Sequence, residues 1–114
     1  MYTFTYHNIN MNSITILKTN IFDRWFDEQN FDVQDKIKDR LKRVEEGNFG
    51  NHKSVGDGVF ELKSKNPTYR IYYKQLGNVV IVLLCAGNKS TQRKDIKRAK
   101  EIAKEVQYGK NYLN

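Results

Sequence analysis

The chain has 114 residues, of which 39% are hydrophobic, and carries a formal charge of +7 with a sequence pI of about 9.5. That is enough chain for one domain with its own core, without disulfides or metal as staples, and a single cysteine, Cys85, cannot form an internal disulfide. No basic segment followed by an apolar stretch opens the sequence and no apolar run is long enough to span a bilayer, so the reading excludes membrane anchoring and expects a cytoplasmic protein. Residues 1–12, rich in Tyr, Asn and Thr, read as an N-terminal arm with Met11 as a candidate functional start; residues 13–107 read as the domain and 108–114 as a tail.

Within that domain Ile14-Thr15-Ile16-Leu17 is a β-branched run and predicts a strand. Thr19 or Asn20 then caps a helix whose Ile21, Phe22, Trp25 and Phe26 form one apolar stripe. A second helix, from about Asp32 to Glu46, repeats Val33, Ile37, Leu41 and Val44 at the helical interval and ends at Gly47. The short turn between them makes a helical hairpin. A turn-rich loop follows from Asn48 to Lys53, with Val55-Gly56-Asp57-Gly58 after it. Three strands then come in quick succession: Val59 to Lys63, Tyr69 to Gln75, and Val79 to Cys85, turned at Asn66-Pro67-Thr68 and Leu76-Gly77-Asn78. The last strand is apolar on both faces and is expected to be central, with Cys85 a buried hydrophobe. A final helix, capped by Ser90 or Thr91, carries Ile96, Ala99, Ile102, Ala103 and Val106 on one side. The order β-α-α-β-β-β-α predicts an α+β domain, an antiparallel meander with helices packed on one face.

The charge is localised. Residues 89–104 hold seven basic and two acidic side chains, five of the seven net positive charges. A solvated helix face mixes signs more evenly, so this concentration points to an anionic partner. Strand alternation adds Arg70, Tyr72 and Lys74 on one face, with Lys63 expected across the hairpin from Arg70. Cations interleaved with aromatic rings suit single-stranded RNA, whose bases stack while phosphates are held. Tyr69 and Tyr73, on the opposite face, are expected to pack the sheet.

Three blocks occur in order: Asn48 to Leu62, Tyr69-Arg70-Ile71-Tyr72-Tyr73, and Leu83 to Gln92 with Asp95-Ile96 behind it. Together they resemble the RelE/ParE toxin superfamily, in particular its small phage-derived branch of addiction module killer proteins, from about Ile14 to Glu105. The resemblance implies a RelE-like fold and the toxin of a type II toxin–antitoxin pair. RelE-like members cut mRNA, commonly within the ribosome and without metal or cofactor. ParE-like members inhibit DNA gyrase instead, and a relative that kept the fold but only binds RNA is a further alternative. The expected partners are mRNA, the ribosome and an antitoxin, a small helix-turn-helix protein from the neighbouring gene.

On the ribonuclease reading Arg70 clamps the phosphate, because a guanidinium reaches two non-bridging oxygens at once. Lys53 and Lys89 are candidates for proton transfer or phosphate binding. Lys63, Tyr72, Gln92 and Arg93 are candidates for RNA binding, Tyr72 by stacking on a base or donating a proton. His52 is a further acid–base candidate because histidine is the side chain that most readily changes charge around neutral pH. The chain departs from the superfamily pattern at Lys63, where Arg is commoner, at Asn88, where Asp is usual, and at Asn66-Pro67-Thr68, which replaces a glycine-containing turn.

Overall fold

The structure, a computed structural model, describes residues 13–106; the arm with its candidate start at Met11 and the tail at 108–114 lie outside the described residues. Strand β1 (Thr15–Lys18) leads into α1 (Asn20–Asp27) through Thr19. The buried Thr19 hydroxyl accepts a hydrogen bond from the Phe22 amide at 3.0 Å and donates to the Leu84 carbonyl at 2.7 Å. One side chain therefore caps the helix and ties its start to the sheet. Helix α2 (Phe31–Glu45) starts the same way, with the Asn30 side chain accepting from the Val33 amide at 2.9 Å. Past its end, Gly47 takes a φ of 92°, the left-handed conformation expected of a glycine there.

The remaining strands are β2 (His52–Gly56), β3 (Val59–Lys65), β4 (Thr68–Gly77) and β5 (Val80–Gly87); a short 3₁₀ turn (Lys89–Thr91) then leads into α3 (Gln92–Glu105). Among the described residues the strands form one sheet in the order β1-β5-β4-β3-β2. Strands β2 to β5 are antiparallel neighbours, the expected meander with one strand more, whereas β1 lies parallel to β5. The added strand, β2, arises in what reads as loop. Asp57 and Gly58 both have positive φ, 55° and 76°, which is the two-residue hairpin turn that Asp-Gly favours. It folds residues 52–56 back along β3. The buried side chain of Arg40 on α2 holds the start of that hairpin, donating to the carbonyls of Phe49, Asn51 and Lys63 at 2.9–3.0 Å.

Two cores result, one on each side of the sheet, and this corrects the expectation that all helices share one face. Phe22, Ile37 and Val44 of the hairpin pack on Leu62, Ile71, Tyr73 and Leu83, with Tyr69 in the same cluster. Ala99, Ile102, Ala103 and Val106 pack on Val59, Tyr72, Val82 and Leu84 from the other side. The reason lies in β5, every residue of which is buried. A strand apolar on both faces needs cover on both. No helix among the described residues is long and apolar enough to cross a membrane.

Candidate nucleic-acid interface

Register places the polar residues of three strands in one row. Lys53 pairs with Glu61, Glu61 with Tyr72, and Lys63 with Arg70. Directly opposed residues share a face, and Tyr72 belongs to the core beneath α3, so this row lies on the α3 side. At its centre Glu61 is fully buried, at 0% exposure. Its Oε2 accepts from the Tyr72 hydroxyl at 3.1 Å and from the Gln92 side-chain amide at 3.0 Å. Arg70 Nε stands 3.7 Å from the same oxygen, and Arg70 is 5% exposed. Neither Glu61 Oε1 nor Arg70 Nε has a hydrogen-bond partner among the described residues. A buried ion pair of this kind is costly unless its remaining positions are satisfied. Unsatisfied buried polar atoms of this kind mark a candidate functional position.

The end of α3 that reaches this cluster is set by packed polar groups. The Asn88 side chain accepts from the Ser90 and Thr91 amides, capping the 3₁₀ turn. Asn88 thus keeps the acceptor that an aspartate would supply. Thr91 occupies the N-cap position of α3 but makes no side-chain cap bond; its hydroxyl donates to the buried Asp95 carboxylate. Asp95 lies directly over Gly87, where a Cβ atom would fall 1.8 Å from Asp95 Oδ2. The absence of a side chain at Gly87 is therefore what lets the helix start so close to β5. Burial pushes the thiol of the neighbouring Cys85 up to about 12, with the Asp95 charge adding to the effect.

The structure brings Lys53, Lys63, Arg70, Tyr72 and Gln92 together through this register and hydrogen bonding, and puts Lys89 and Arg93 on the segment that packs over β4. Lys53, Lys89 and Arg93 are exposed and Lys63 half-buried; none forms an ion pair among the described residues. Tyr72 requires a correction: at 0% exposure its ring offers no face to a base, and its hydroxyl is spent on Glu61. Burial first, and Glu61 second, drive its pKa far above that of an ordinary tyrosine. Gln92 also turns its amide inward. His52 pairs with Leu62 of the opposite core and its ring lies 5.5 Å from Phe49, so it belongs to the other face of the sheet. Sequence reasoning missed Glu61, although the alternation that grouped Arg70 with Tyr72 also puts Glu61 and Lys63 on one face of the preceding strand. It missed Arg40 too, for which only a cation inside a helix was visible.

A mixed sheet with a helical hairpin on one side and a basic helix on the other is the RelE toxin fold. The chain superposes on the isolated Escherichia coli RelE toxin with a TM-score of 0.57 at 17% identity, over 75% of this chain and 98% of that one. A double-arginine variant of the same toxin in the free state gives 0.58 at 16% identity, over 75% and 97%. The intact E. coli RelBE toxin–antitoxin complex gives 0.53 at 18% identity, over 67% and 96%. Residues 24–107 match the phage-derived protein Gp49-like family (DUF891), and the chain belongs to that family. It is also 47% identical over 96 residues to an uncharacterized protein of Haemophilus influenzae, covering 82% of this chain and 97% of that one.

Proposed function

We propose that the protein is the toxin of a type II toxin–antitoxin pair and that it arrests translation by cutting mRNA on the ribosome. The observation that carries this reading is the Arg70–Glu61 pair on the floor of the α3 face, edged by Lys53, Lys63, Lys89 and Arg93, cations without ion pairs among the described residues. Cleavage by transesterification forms a bond between the 2′-oxygen and phosphorus and breaks the bond from phosphorus to the 5′-oxygen. One proton leaves the 2′-hydroxyl and one is delivered to the departing oxygen. Fixed cations aimed at the phosphorane take the role that a metal plays elsewhere, and such preorganised charge is commonly the largest catalytic term. Arg70 holds the phosphate, while Lys53 and Lys89 are the exposed groups available for proton transfer. Glu61, Tyr72 and Gln92 act from beneath, fixing the surroundings of the guanidinium.

The solved RelBE complex pairs a toxin of this fold with its antitoxin. By analogy the partner here is an antitoxin, a small helix-turn-helix protein of the neighbouring gene, with an acidic or apolar segment laid over the basic groove at Arg70. Primer-extension mapping of mRNA ends after induction tests the reading. New ends within translated regions are expected; DNA-damage signalling without such ends would assign the protein to gyrase inhibition instead. One observation favours a second reading, binding without cleavage: with Tyr72 and Glu61 both buried, the groups a substrate meets are almost all cations. Retained RNA binding with no new ends would select it.

A further inference from the structure

Helix α3 has two exposed rows of different character. Lys94, Arg98, Glu101 and Glu105 stand at successive helical intervals and mix signs, as a solvated face does. Arg93, Lys97, Lys100 and Lys104 stand at the same intervals on the adjacent flank, and all four are cations. Like charges three and four residues apart disfavour a helix, so a row without an acid is not what stability selects.

Two contacts fix where this row points. At its start, Gln92 is bonded to the buried Glu61 under Arg70. Further along, Lys100 Nζ lies 3.4 Å from Asp57 Oδ2 in the β2–β3 turn. The cationic row therefore begins beside the Arg70 cluster and runs along the β2–β3 side of α3. Arg93, Lys97 and Lys104 are exposed and without ion pairs among the described residues. From Arg93 to Lys104 the row covers about 16 Å at the helical rise, enough for a few consecutive nucleotides.

We infer that this row is the track for the phosphate backbone of the substrate RNA on one side of the scissile bond, an inference that rests on the RNA-cutting reading of the Arg70 cluster. The row contains no aromatic or apolar side chain. It grips charge at regular intervals and reads no bases, as phosphate contacts do. An acidic peptide is a poorer fit, since protein partners are held mainly by buried apolar and aromatic anchors, and the row offers none. Sequence preference then belongs to the groups around Arg70, and affinity to α3.

Fluorescence anisotropy with a fully 2′-O-methylated single-stranded RNA, which cannot be cut, tests the track across a range of salt. The double variant Lys97→Gln/Lys104→Gln is expected to bind about tenfold more weakly, and the slope of log affinity on log salt is expected to shrink by about 1.4, or about 0.7 for each lost phosphate contact. Lys97→Arg/Lys104→Arg should restore both. On ribosomes programmed with mRNA, the loss in the glutamine variant should fall on KM, whereas loss of the Arg70 guanidinium should fall on kcat. Wild-type affinity and slope in a folded glutamine variant overturn the track while leaving the RNA reading intact. A wild-type protein that binds no free RNA and cuts no mRNA on programmed ribosomes removes both. A polyglutamate peptide that binds in a Lys97- and Lys104-dependent manner while RNA does not would hand the row to an acidic protein.

Discussion

On the face covered by α1 and α2 the sheet meets rings. Phe22 lies 5.8 Å from Trp25, Trp25 6.5 Å from Tyr69, and Phe60 5.4 Å from Tyr73. On the other face α3 brings Ala99 and Ala103 against the strands, and the row beside them holds Glu61, Arg70 and Tyr72. Large rings fill space and bury mostly apolar surface. Small alanines do the opposite: they let a helix lie close, so that its polar first turn reaches the strands beneath. Gln92 bonded to Glu61, and Asp95 seated on Gly87, are consequences of that approach. Both faces carry a buried core, but the candidate chemistry lies on one of them.

That division can be broken most sharply on the ring face. Phe22→Ala removes a fully buried ring and should cost about 3–5 kcal/mol, read from denaturant midpoints. The surviving folded fraction should keep its specific activity; a loss of activity beyond the loss of folded protein would mean that the two faces are coupled. Arg70→Lys is the counterpart. It keeps a cation beside Glu61 but loses the planar fork, so cleavage should fall about a hundredfold, while stability should fall by less than it does in Phe22→Ala. Unchanged cleavage in that variant would remove Arg70 from the centre of the site.

How much of this was legible follows the same line between local and long-range causes. The hairpin helices were readable because each of their signals is local: Thr19 before the first turn, Ile37 and Val44 at the helical interval, Gly47 after the last. The pairing of Lys63 with Arg70 was readable because a short turn fixes the register of its strands. Strand β2 was not, because it lies at the sheet edge and four of its five residues are exposed, leaving no alternation. The parallel pairing of β1 with β5 joins residues far apart in sequence and leaves no local trace. Placing α3 on its own face was within reach, since a strand apolar on both sides demands it. In the site, the cations announced themselves through charge. Glu61 and the burial of Tyr72 did not, because a single acid and a tyrosine in β3 and β4 look the same whether solvated or enclosed.

Gly87→Ala probes the close approach itself. The new methyl would overlap the Asp95 carboxylate and come within 2.6 Å of the Thr91 hydroxyl. Relief requires moving a buried charged group off its hydrogen bond or shifting the start of α3, at about 2–3 kcal/mol. The expected signature is a lower unfolding midpoint together with loss of activity, because displacing the first turn also displaces Gln92 from Glu61. Gly77, where an added Cβ meets nothing within 4 Å, supplies the control: Gly77→Ala should change neither quantity by much. Equal effects at the two glycines would show that Asp95 is free to move.

A dependence on alkaline pH draws on both faces. Burial raises the Cys85 thiol from 9.0 to about 12 on the α3 side and the Tyr73 phenol from 10.0 to about 12 on the hairpin side. The buried Tyr72 shifts in the same direction. In the unfolded chain these groups lose their protons first, so above about pH 9 the unfolded state binds fewer protons than the folded one, and stability falls as pH rises. Their contribution is fully present below pH 9 and lost progressively toward pH 12. Urea midpoints measured from about pH 8 to about pH 11 should therefore decline, and Cys85→Val should flatten the early part of the decline. The thiol begins to titrate in the unfolded chain before the phenols do, so a variant lacking it should separate the two faces along the pH axis. An early slope unchanged by Cys85→Val would mean that the thiol opens to solvent before the protein unfolds, and that the start of α3 is the less secure of the two packed layers.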